Sequence, residues 1–61
     1  MLSLLQKLQL LSIEKTGEVL DTSKSTVRRM IKSGELPAVK IRGQWRIKVV
    51  DVFALIEKRQ L

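Results

Sequence analysis

Apolar residues recur along this chain with two different periods, and each period predicts an element. Ile13, Thr16, Gly17 and Leu20 fall at i, i+3, i+4 and i+7, with Val19 beside them, which describes one buried face of a helix. Ser12 precedes that helix as an N-cap, and Glu14 sits in its positive first turn. Asp21 ends it, being a residue that tolerates left-handed or turn geometry. Gly17 on the buried face predicts a second backbone passing close by. Thr22 and Ser23 supply another cap, and a second helix runs from Lys24 to about Ser33 with Val27, Met30 and Ile31 inward. Turning about 100° per residue from that side places Ser25, Arg28, Arg29 and Lys32 on the opposite arc. Gly34 stops this helix, and Pro37 prevents its resumption.

Beyond Pro37 the period drops to two. Apolar and basic residues alternate in Val39-Lys40-Ile41-Arg42 and again in Trp45-Arg46-Ile47-Lys48, so two strands are expected, with Gly43-Gln44 as the turn. That alternation predicts Val39, Ile41, Trp45 and Ile47 on one face, and Lys40, Arg42, Arg46 and Lys48 on the other. A last helix spans about Val49 to Arg59, with Asp51 in its first turn, Lys58 and Arg59 in its last, and Val52, Leu55 and Ile56 inward. Residues 1–11 form a Leu-rich lead-in. Leu2, Leu5 and Leu8 repeat every third position there, with Leu4 and Leu11 as a second row, a spacing that suits an extra short helix. The expected fold class is α+β, mainly helical: a helix-turn-helix, a β-hairpin wing and a C-terminal helix in one domain, 1–61.

Composition narrows the chemistry. Sixty-one residues make one domain, and a chain this short buries only ~60% of its unfolded surface. The absence of Cys and His removes disulfides, a zinc site with the usual ligands and His-based catalysis. The six acidic residues are scattered, so no enzymatic site, cofactor or metal is expected. Gln6, Lys7 and Gln9 interrupt the apolar start, which argues against a signal peptide, and no run approaches the ~20 apolar residues of a membrane span. A soluble, cytoplasmic protein without a membrane partner is the expectation.

The net charge of +6 is concentrated in one stretch. Lys24, Arg28, Arg29, Lys32, Lys40, Arg42, Arg46 and Lys48 face a single acid, Glu35, between residues 24 and 48, while the remainder is close to neutral. A field focused in this way marks a polyanion binder. Two capped helices joined by a short turn, the second exposing basic and small polar groups, form the layout in which the second helix enters the DNA major groove. Arg offers a two-pronged donor to guanine, Ser either donates or accepts, and Lys holds phosphates. The amides near Ser23 to Ser25 can receive a phosphate as well. An Arg-bearing tip at Arg42-Gly43-Gln44 can follow a phosphate strand or enter the minor groove.

The runs Leu10-Leu11-Ser12-Ile13-Glu14, Ser23-Lys24-Ser25-Thr26-Val27-Arg28-Arg29-Met30-Ile31-Lys32-Ser33-Gly34-Glu35-Leu36-Pro37-Ala38-Val39-Lys40-Ile41 and Gly43-Gln44-Trp45-Arg46-Ile47 closely resemble the excisionase (AlpA-type) winged-helix domain. This is the small branch of the mercury-resistance-regulator (MerR-like) helix-turn-helix superfamily. The resemblance covers roughly residues 10–57 and is most specific from Ser23 to Ile47. It implies a recombination directionality factor that binds double-stranded DNA at several sites, self-associates cooperatively there, bends the duplex and helps an integrase excise a phage or mobile element. Carried over by position, recognition-helix contacts fall on Lys24, Ser25, Arg28, Arg29 and Lys32, and wing contacts on Arg42, Gln44 and Arg46. Departures are Asp21 where the family usually has Gly, Thr22 in place of a small apolar residue, and Arg28 in place of a frequent aromatic.

Competing roles stay open at this level. A small transcriptional regulator would use the same winged helix, and a docking or DNA-binding domain of a larger recombinase would present the Leu row with Phe53. The lack of residues for a long coiled coil after the last helix suggests a monomer in solution. Arg28 lies at the arc's edge, within reach of Glu18 or Asp21. Trp45 is expected in the core rather than stacked on a base. Phe53 is expected to pack under the Leu2/Leu5/Leu8 row, the rival role being a protein-contact patch.

Overall fold

Ser12 sets the start of the first helix, accepting a hydrogen bond from the Lys15 amide at 3.1 Å. The computed structural model describes residues 9–59. Strand β1 (Leu10–Leu11) precedes helix α1 (Ile13–Leu20), followed by α2 (Lys24–Lys32), β2 (Val39–Ile41), β3 (Gln44–Lys48) and α3 (Val49–Arg59). The order is that of a winged helix-turn-helix, and its boundaries follow the capping residues.

Asp21 closes α1 in the left-handed region, at φ 54° and ψ 48°. Glycine reaches that region without steric cost, and Asp tolerates it better than most residues, which accounts for a chain that turns here without Gly. Ser23 caps α2 by accepting from the Thr26 amide at 3.2 Å. Gly34, at φ 84°, turns the chain out of α2. The Leu36 amide then reaches back to the Met30 carbonyl at 3.1 Å, and Leu36 drops into the core.

The sheet has three antiparallel strands in the order β1-β3-β2. The third strand corrects the sequence reading. Leu10 and Leu11 pair with Lys48 and Ile47 instead of extending a lead-in helix, and the Val49 amide continues the ladder to the Gln9 carbonyl. Two residues carry too little periodicity to announce a strand, so the pairing is visible only once β3 is in place. The expected extra helix, and the Leu2/Leu5/Leu8 row, lie outside the described residues.

Val27, Leu36, Ile47, Val52 and Leu55 form the core, with Leu11, Ile13, Leu20, Met30, Ile31, Ala38 and Ile56 packed around it. Helix α1 lies at the centre of this arrangement, touching α2, α3, β1 and β3. Val27 is wholly buried, so α2 is clamped by its inward side while its other arc faces solvent.

Candidate nucleic-acid interface

The β2–β3 turn decides what the hairpin presents. It consists of Arg42 and Gly43, with φ 52° and 79°, the positive pair that a type I′ turn demands. A two-residue loop here pairs Ile41 with Gln44, Lys40 with Trp45 and Val39 with Arg46. Residues directly opposite share a face, so Lys40 stands beside Trp45 and Ile47, whereas Val39 and Ile41 lie with Gln44, Arg46 and Lys48. The expected all-apolar face is therefore wrong. Uniting Val39 and Ile41 with Trp45 and Ile47 would need a loop one residue longer, and a single-residue slip flips one strand relative to the other. Val39 and Ile41 are exposed in consequence.

Trp45 is also displaced from its expected place in the core. It lies on the inward side of the hairpin but near the tip, beyond the reach of the core, and is 37% exposed. Its ring borders a cleft of about 420 Å³ whose other wall is Arg28, Ile31 and Lys32 of α2. Lys40 holds its Nζ 5.4 Å from the indole centroid.

On α2, Lys24, Ser25, Arg28, Arg29 and Lys32 are all exposed. They divide into two flanks. Arg28 and Lys32 face the hairpin, while Arg29 borders a groove against α3 that includes Thr26, Met30, Leu55 and Ile56. The Arg29 guanidinium donates to the Thr26 hydroxyl at 3.5 Å, and that hydroxyl also shares a 3.0 Å hydrogen bond with the Ser23 cap. Glu18, a candidate partner for Arg28, pairs with Lys15 at 3.4 Å.

The wing residues separate as well. Arg42 is at the exposed tip. Gln44 and Arg46 lie on the hairpin's outer face and bind each other, Arg46 donating to Gln44 Oε1 at 2.6 Å and to the Trp45 carbonyl at 2.8 Å. Arg46 is half-buried by these contacts. Lys40 was absent from the sequence-predicted contacts, although the Arg42-Gly43 pair carried the signal: read as a two-residue turn, it puts position 40 opposite 45.

Phe53 is 42% exposed on α3, with Val50 of the same helix at 47%. Among the described residues no group of acidic, His or Cys side chains could hold a metal ion, and no helix is long and apolar enough to cross a membrane.

Comparison with known proteins agrees with this architecture. Residues 10–60 match the family described as a helix-turn-helix domain. The chain is 35% identical over 51 residues to the "Putative DNA-binding protein MT0521" of Mycobacterium tuberculosis (strain CDC 1551 / Oshkosh). It is equally similar to the "Putative DNA-binding protein Rv0500A" of strain ATCC 25618 / H37Rv. Each alignment covers 84% of this chain and 65% of the relative. No solved structure matches the chain.

Proposed function

Because the chain belongs to the helix-turn-helix domain family, we propose that it binds double-stranded DNA sequence-specifically and bends it, assisting an integrase in excising a phage or mobile element. The observation that carries DNA binding is the placement of charge. Five exposed polar or basic residues of one short helix stand beside a hairpin tipped by Arg42, on a chain of net charge +6. The recombination role is supported by the resemblance of the Ser23–Ile47 run to excisionase domains.

Helix α2 lies in the major groove with Ser25 and Arg29 reaching base edges, while Lys24 and Lys32 hold phosphates. The Arg42 tip enters the adjacent minor groove. The protein acts by position and shape and performs no chemical step. With about five or six phosphates neutralised, log K falls with log salt at a slope near −5.

Footprinting on the element's own attachment region is the test. Several spaced sites filled cooperatively support directionality control. A single operator over a promoter makes the protein a transcriptional regulator. Failure to bind any duplex, together with tight binding to a recombinase, makes it a docking module. Within the complex, Arg29→Ala relaxes sequence preference while Arg42→Ala weakens all sequences alike. Equal loss on specific and random DNA for both variants contradicts that division.

A further inference from the structure

The cleft between α2 and the hairpin is unaccounted for by either element alone. Among the described residues its lining carries two cations, Arg28 and Lys32, a large aromatic ring left 37% exposed, and no acid. A third cation, Lys40, is held over that ring at 5.4 Å. The type I′ turn is what brings Lys40 to this side, since a loop one residue longer would send it to the outer face. Arg28 and Lys32 thus share a cleft with Trp45, and Lys40 sits over the same indole, at the boundary between the helix and the wing.

Adjacent major and minor grooves are separated by one sugar-phosphate strand. A helix in one groove and a hairpin in the next must straddle that strand, and the space between them must receive it. We propose that the Arg28–Lys32–Trp45 cleft is the seat of this strand, with Lys40 as a further phosphate contact and the Trp45 indole packed on a deoxyribose. The proposal rests on the DNA-binding reading above and adds the part of the duplex that this cleft holds. Trp45 acts in two ways here. It supplies an apolar surface for the sugar, and its ring confines the Lys40 ammonium near the phosphate path. Because every nucleotide carries the same sugar and phosphate, the seat sets register on the duplex and is blind to sequence.

Trp45 is the only Trp in the chain and there is no Tyr, so its emission reads the cleft without interference. The probe is an end-labelled duplex selected by the full chain from a randomised pool, with anisotropy of the label and Trp45 emission followed in one titration. Emission changes together with anisotropy, at the same midpoint. Lys40→Gln weakens binding roughly fivefold at moderate salt, lowers the salt slope by about one, and leaves the selected sequence unchanged. Lys40→Arg restores most of the affinity. Replacing the phosphate between the two grooves by a neutral methylphosphonate weakens the wild type more than it weakens Lys40→Gln, which has already lost one of that phosphate's cations. Anisotropy that saturates while Trp45 emission stays constant overturns the proposal and leaves DNA binding standing. So does a salt slope unmoved by Lys40→Gln. No anisotropy change with any selected duplex overturns the DNA-binding reading itself.

Discussion

A Cβ placed on Gly17 would stand 2.8 Å from the carbonyl oxygen of Thr22, closer than folded proteins allow. The same two residues are joined from the other side, the Thr22 amide donating to the Gly17 carbonyl at 2.8 Å. Helix α1 and the turn before α2 are therefore in backbone contact at one position, which sets the angle at which α2 leaves the core. Gly17→Ala gains about 1 kcal/mol of helix propensity but forces the turn outward at about 1–3 kcal/mol. The obstacle is backbone, which cannot rotate aside, so the cost outweighs the gain and a net loss of up to about 2 kcal/mol is expected. Thermal unfolding should show a lowered Tm, and the displaced α2 should weaken duplex binding beyond the stability loss.

Thr16 is fully buried, and among the described residues its hydroxyl has no hydrogen-bond partner. An unpaired buried hydroxyl costs about 1–3 kcal/mol, and valine has the same shape with a similar helix propensity. Thr16→Val should raise stability by about 1 kcal/mol, or about 4–8 °C in Tm for a domain of this size. An unchanged or lower Tm would mean that the hydroxyl finds a partner.

Ser23 caps α2 through the Thr26 amide. Ser23→Ala removes that acceptor at a cost of about 1 kcal/mol. Ser23→Asp keeps an acceptor and should restore stability. In the proposed complex, however, its charge faces the phosphates, so duplex affinity should fall below that of the wild type. Calorimetric unfolding and duplex titration of the two variants separate these effects.

Arg42 adopts φ 52°, a left-handed conformation that costs a non-glycine residue about 1 kcal/mol or more. Arg42→Gly should therefore stabilise the free protein by about 0.5–1 kcal/mol. The same change removes the tip cation and should weaken binding to all duplexes, lowering the salt slope by about one. Gain in Tm with loss of affinity in one variant is the pattern of a residue kept for contact at the expense of the turn. Unaltered affinity would remove Arg42 from the interface.

Much of this molecule is written locally. Ser12, Asp21, Ser23 and Gly34 begin and end α1 and α2 through bonds to residues within a few positions, and α3 spans the residues that the hydrophobic period assigns to it. The concentration of charge between residues 24 and 48, and the basic arc of α2, are equally plain from the chain alone. Position across the hairpin is different in kind. Which face Val39, Ile41 and Lys40 occupy depends on whether the loop holds two residues or three, and the alternating pattern of each strand is satisfied either way. Folding resolved the ambiguity through the positive φ angles of Arg42 and Gly43, exposing two apolar residues and bringing Lys40 to Trp45. The pairing of Leu10–Leu11 with β3 and the cleft beside Trp45 belong to the same class, since each exists only where segments distant in sequence come together.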